Sequence, residues 1–281
     1  MKPTILALIL VFFTAASAQS PLEKQLFDLV NQERTRAGLS KLEWNDDLAR
    51  AALRHSQLLD EHQELSHQFA GEAPLPERVG VTGARFNSVA ENVASAQEGD
   101  GARRILMRSP AEEVLRAHHG LMESPGHRAN ILGAGYNAIG ISIVQHGQQL
   151  YVTQDFAHTL PSYTEPQFRD AIVTSFNKSR RSLGLRPVTV TADAQLRSAA
   201  CAQDMNTNKM IQGLPGAASL LVFSLSEPGT LPDGMRRAAA DKTLERINIG
   251  VCLLTGGKTG FSKFWVVAAF YRAAEPTAQD E

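Results

Sequence analysis

The sequence predicts an α+β protein made of one unit followed by a smaller, degenerate repeat of it, and three observations predict this. The first is an internal match between "LVNQERTRAGLSKLEWNDDLARAALRHSQLL", Leu29 to Leu59, and "SFNKSRRSLGLRPVTVTADAQLRSAACAQDM", Ser175 to Met205. Asn31, Arg34, Gly38 and Leu39 align with Asn177, Arg180, Gly184 and Leu185 at a constant offset of 146. After a two-residue insertion, Leu48, Ala51 and Ala52 align with Leu196, Ala199 and Ala200. A repeat this long signals duplicated domains, because solenoid periods are shorter, roughly 20 to 50 residues. The second observation is that both copies read as helix, turn, short extended piece, helix. The third is that both end in two β-rich runs around a turn, Ala138 to Phe156 and Asn248 to Phe270.

Each element has a local reason. Leu22, Leu26, Leu29 and Val30 recur at helical spacing, and Gly38 supplies the left-handed residue that ends a helix. Asn45 or Asp46 is a competent cap for a second helix carrying Leu48, Ala51, Ala52, His55, Leu58, Leu59 and Leu65. The closing runs alternate β-branched and small residues around His-Gly in the first copy and Gly-Gly in the second, which is hairpin chemistry. Between the copies, "AHTLPSYTEPQ" holds two prolines among polar residues, placing a boundary near residue 160. The middle of the second copy is shorter and broken by glycine and proline.

Residues 1–18, "MKPTILALILVFFTAASA", have a lysine, an apolar run and small residues before the expected cleavage point, the layout of a secretory signal. No later segment has the apolar length of a membrane span. The 28 basic and 29 acidic residues are well mixed, which argues against nucleic acid as a partner. Two cysteines, Cys201 and Cys252, either form one bridge in an oxidising compartment or remain buried thiols.

The chemistry-bearing residues lie in the first copy: His67 in "ELSHQF", Glu91 in "SVAENVAS", Glu123 and His127 in "MESPGHR", and the pair His118-His119. "HQELSH" is not a zincin helix, since its histidines are five residues apart and fall on different faces. No GxSxG, CxxC, Walker or Rossmann pattern occurs. "SPGHRANIL" reads as a helix start with Ser124 at the cap and Pro125 first inside, so His127 has a packing alternative. Glu91 has one too, bonded to local backbone or to Arg128. His118 and His119 are expected at the solvent edge of a helix opening at Ser109-Pro110. Glu33, Arg34 and Arg36 are read as surface charges near a helix end.

Taken together, "LVNQERTRAGL", "LEWNDDLARAALRHSQ", "LSH", "AENVA", "SPGHRANIL" and "YVTQDF" resemble the CAP superfamily, also called SCP/TAPS, in its bacterial secreted form. The resemblance implies an α-β-α sandwich over residues 22–158, with a linker at 159–167, a degenerate CAP-like copy at 168–272 and a disordered tail at 273–281. It implies a ligand cleft of His67, Glu91 and His127, with Glu123 one position off the family register, and a divalent metal such as zinc held weakly by His67 and His127. Leu121 stands where the family usually has tryptophan. The implied protein is secreted, to periplasm or medium, without a transmembrane anchor. It binds a small molecule, lipid or peptide. A His/Glu- or metal-dependent hydrolase is the alternative, disfavoured because no nucleophile is visible. No histidine follows His158, so the second copy is left with packing, self-association or partner binding.

Overall fold

The computed structural model describes residues 19–97, 109–203, 214–255 and 261–273. The expected signal peptide, residues 1–18, and all but the first residue of the expected tail lie outside the described residues, as does the Gly-Gly turn of the second hairpin. In chain order the elements are α1 (Pro21–Arg36), β1 (Glu43–Trp44), α2 (Asp46–His62), α3 (Leu75–Gly80), β2 (Phe86–Gln97), α4 (Pro110–Glu123), α5 (Pro125–Ile131), β3 (Ala138–His146) and β4 (Gln149–Thr159). There follow α6 (Glu165–Ser182), β5 (Thr189–Ala192), α7 (Ala194–Cys201), β6 (Ser219–Leu225), α8 (Asp233–Ala239), β7 (Leu244–Leu254) and β8 (Lys263–Arg272).

The caps explain where the helices begin. Ser20 and Glu23 form a reciprocal capping box at α1, and Asn45 accepts from the Leu48 amide at α2. Gly38 ends the α1 turn at φ +72°, and the Leu39 amide returns to the Arg34 carbonyl, as the glycine predicts. Leu65 is not on α2 as expected. The helix stops at His62 because Gln63 turns left-handed, φ 53°.

Two four-stranded sheets result, ordered β1-β3-β4-β2 and β5-β7-β8-β6. Each runs short strand, two hairpin strands, then the strand from the middle of its half, so the expected α+β class and α-β-α layering hold, with a second sheet in the C-terminal half. In that sheet β5 pairs parallel with β7, and β8 runs antiparallel to both β7 and β6. The sequence pattern missed β2 and β6. "FNSVAENVASAQ" has little β propensity, and it is pairing at the edge of a sheet that makes it a strand.

Corresponding residues in the two halves make corresponding bonds. Asn31 exchanges two hydrogen bonds with the Leu42 backbone, and Asn177 does so with Val188. Arg34, expected on the surface, is 1% exposed. Its guanidinium donates to the Ser40, Ile131 and Gly133 carbonyls, each at 2.9 Å. Arg180, likewise buried, donates to the Arg186, Ala239 and Asp241 carbonyls. A helix-end arginine looks like a dipole partner in sequence. Here it gathers carbonyls from distant loops, which no local pattern reveals.

Contacts divide the chain into two compact units. One comprises Met1–Leu65, Asn92–Gly133 and Ile139–Asp155, the other Ser66–Glu91, Ala134–Ala138 and Phe156–Glu281. The first has its core in Leu26, Val30, Leu48, Leu59, Ile139 and Ile141. In the second, Phe168, Ile172, Phe176 and Phe264 are buried, with Phe168 stacked on Phe264 at 3.8 Å. Cys201 and Cys252 are bonded, tying α7 to β7 and resolving the choice the sequence left open.

His118 also departs from expectation, for it is 2% exposed while His119 is exposed. Neither His118 ring nitrogen has a hydrogen-bond partner among the described residues. Burial holds this imidazole below its ordinary 6.5, opposed by Glu33 and assisted by His119 and Arg36. The unfolded chain therefore takes up the proton first as pH falls. The stability that comes from a neutral His118 is full above 6.5 and is lost as pH drops through the depressed value. His118→Leu should remove that acid-labile part and gain on the order of 1 kcal/mol at neutral pH by deleting unpaired interior nitrogens. Urea melts at about pH 7 and about pH 5 test this; a variant that loses as much stability on acidification as the wild type contradicts it.

Candidate functional site

The segment between α2 and β2 builds a chain of charges that ends on an exposed histidine. Proline at 74 and 76 starts α3, and α3 delivers Arg78, whose side chain is 9% exposed. Arg78 donates from Nη1 to Glu72 Oε1 at 2.9 Å and from Nη2 to Glu91 Oε2 at 2.9 Å and the His67 carbonyl at 3.1 Å. Glu72 is itself pinned by the Phe69 amide. The other Glu91 oxygen, Oε1, lies 2.9 Å from His67 Nδ1. The Glu91 side chain is 2% exposed and that of His67 60%.

This arrangement sets the tautomer. The Glu91 carboxylate accepts from Arg78 and lies against Nδ1, so Nδ1 carries the proton toward it and Nε2 is the nitrogen left for a ligand. The Glu91 hydrogen bond, with its charge, holds the imidazole above the ordinary 6.5, against partial burial and the Arg78 charge. A raised folded pKa contributes stability that is full below 6.5 and is lost as pH rises through the folded value, the reverse of His118.

A second polar group fixes the backbone at His127. Asn92, fully buried beside Glu91 in sequence, donates from Nδ2 to the His127 carbonyl and to Gln154 Oε1, each at 3.1 Å. Asn130 donates to Asn92 Oδ1 at 2.9 Å. His127 is half-buried on α5 and lines a pocket of about 290 Å³ whose apolar wall is Leu65, Val93, Ala94, Ala96 and Leu121. Leu121, in the tryptophan position, is 2% exposed.

Of the sequence-predicted residues, His67 and Glu91 are bonded directly. His127 belongs to the pocket of the other unit, and Glu123 is the exposed last residue of α4. Glu91 bonds Arg78, a partner the sequence reading did not name. Arg78 and Glu72 were missed altogether; the only sequence signal was a charged pair flanking a Pro-x-Pro helix start. Asn92 and Gln154 stood inside quoted motifs without assigned roles.

Nδ1 bonded to a carboxylate is the usual support of a metal-binding imidazole. Among the described residues, however, the ligand atoms of three or more His, Cys, Asp or Glu side chains gather only at Glu165, Cys201 and Cys252, whose sulfurs are bonded to each other. A built three-ligand zinc site is therefore not present among them. No helix among the described residues is long and apolar enough to cross a membrane.

Residues 27–156 match the family model described as CAP, cysteine-rich secretory protein family. The chain is 32% identical over 138 residues to the uncharacterized membrane protein YlbC of Bacillus subtilis, covering 49% of this chain and 35% of that one. It is 30% identical over 134 residues to the uncharacterized protein YkwD of the same organism, covering 48% and 47%. The chain thus spans less than half of the length of either relative. Among solved structures it is similar to an extracellular protein containing a SCP domain from Bacillus anthracis, at 28% identity, TM-score 0.38, 48% of this chain and 39% of that one. Residues 27–156 of this chain are a CAP domain of the cysteine-rich secretory protein family.

Proposed function

We propose that this is a secreted CAP-domain protein that acts by binding a small molecule, lipid or peptide, with His67, Glu91, His127 and Glu123 as ligand-contacting residues. The observation that carries the reading is the chain Glu72, Arg78, Glu91, His67, in which buried charges orient one exposed imidazole. Such an arrangement presents Nε2 to a ligand in a set tautomer. The half-apolar pocket at His127 supports a ligand with a hydrocarbon part. No hydroxyl or thiol is hydrogen-bonded to the His67 ring among the described residues, and both cysteines are in the disulfide, which favours binding over nucleophilic catalysis.

Zinc is the probe that tests the site. His67 and His127 are each proposed as a weak ligand of a divalent metal, which would supply Lewis-acid polarisation of a ligand group. Isothermal titration should show weak zinc uptake by the wild type, reduced in His67→Ala and in His127→Ala. Equal affinity in all three overturns the metal reading. Because His67 is largely exposed, its alanine variant should stay folded.

A second reading, an extracellular His/Glu-dependent hydrolase acting on cell wall or protein, is favoured by one observation. Glu91 raises the basicity of His67, as a general base requires. It demands turnover of a peptide or glycan substrate that disappears in folded His67→Ala. The C-terminal half is proposed as a degenerate CAP-like copy. The matched strand order and the matched Arg34 and Arg180 bonds support this.

A further inference from the structure

We propose that the C-terminal half of the chain is the support of the His67–Glu91 site, and that Arg85 is the positioning residue through which it acts. The proposal rests on the binding reading of that site. It starts from where the segment 66–91, which carries His67, Glu72, Arg78 and Glu91, belongs: it falls in the compact unit of residues 156–281.

Arg85 holds it there. This residue is 6% exposed and immediately precedes β2. Its Nε donates to Ser262 Oγ at 3.2 Å, Nη1 to the Pro161 carbonyl and Nη2 to the Ser226 carbonyl. The guanidinium carbon lies 4.8 Å from the centroid of the Phe264 ring. Its own carbonyl accepts from the Leu160 amide at 2.8 Å. Phe86, 1% exposed, adds a ring contact to Phe261 at 5.1 Å. One guanidinium therefore gathers three stretches of the C-terminal half that are far apart in sequence, a task that needs the planar fork of arginine.

The consequence for the site runs along β2. Glu91 is six residues beyond Arg85, about 20 Å along an extended strand, so Arg85 touches none of the site residues. What it sets is register. Side chains alternate faces along a strand, and a slip of one residue would turn Glu91 away from both Arg78 and His67. Arg85 and Phe86 clamp the end of β2 at which that slip would begin.

The test uses the full chain. Backbone hydrogen exchange is measured over 66–91 and over β7 and β8, together with the low-field His67 Nδ1–H resonance that reports the bond to Glu91. Arg85→Met should speed exchange across 66–91 by about tenfold or more and abolish the resonance, leaving β7 and β8 unchanged. Arg85→Lys should restore part of both. Arg246→Met, which removes an arginine stacked 4.1 Å from Tyr271 in the same unit, should change neither. If Arg85→Met does not fold, Ser262→Ala carries the test, with the same localisation at smaller size. Wild-type exchange and resonance in these variants overturn the proposal, as does equal acceleration in β7 and β8, which would make Arg85 a general stability residue. Neither readout uses a ligand, so failure of zinc binding and failure of this coupling are separate results.

Discussion

Gly140→Ala is expected to prevent the first unit from folding. A Cβ at Gly140 would lie 2.1 Å from the Ala49 nitrogen and 2.2 Å from the Leu48 carbonyl carbon, both backbone atoms at the start of α2. Backbone cannot swing aside as a side chain can, so α2 must lift off β3 and uncover Leu48 and Ala52, both fully buried. The cost should exceed about 4 kcal/mol, the range reserved for gross packing conflict. Gly250→Ala should act alike on the other sheet, where the Cβ would lie 2.0 Å from the Arg197 nitrogen. Gly126→Ala, with nothing within 4 Å, is the control. Circular dichroism melts decide the matter, and a Gly140→Ala melt within a few degrees of the control contradicts the close approach.

The second large effect is expected at Glu91. Glu91→Ala strips Arg78 of one of its two carboxylates inside the protein and leaves His67 without its orienting partner. Removing one member of a buried charge pair typically costs about 3–5 kcal/mol, because the remaining charge stays desolvated. Glu91→Gln should cost less, since an amide oxygen still accepts from one partner. Denaturant melts should rank wild type, Gln, Ala in falling stability, and the His67 Nδ1–H signal should be lost in the alanine variant. An alanine variant as stable as the wild type would show that the Arg78 contacts carry no weight.

These two sites also show how far the sequence could be read. The pairs Asn31 with Asn177 and Arg34 with Arg180 were visible because a duplicated scaffold repeats its spacing. The small residues in "AIG" and "NIG" were visible too, yet nothing in a one-dimensional pattern says that a helix backbone passes within contact of a glycine. His67 and Glu91 stood out because imidazole and carboxylate sit in unusual local contexts. Arg78 and Glu72 did not, since a charged residue in a polar loop reads as solvated until a fold brings a buried carboxylate to it. The same limit produced the misjudged Arg34 and His118. Burial of a polar side chain is decided by distant packing, and a helical period gives only the face it lies on. β2 was hidden for a related reason, because an edge strand made of Asn, Ser, Ala and Glu takes its conformation from its neighbour in the sheet.

The buried charges behind His67 leave its Nε2 as the atom offered to a ligand. A crystal of the protein soaked in excess zinc at neutral pH, with anomalous scattering recorded at the zinc edge, locates the metal directly. Zinc density is expected within bonding distance, about 2.0–2.1 Å, of His67 Nε2, with Nδ1 still bonded to Glu91. Zinc absent from His67 while bound elsewhere, or Nδ1 turned away from Glu91, would contradict it.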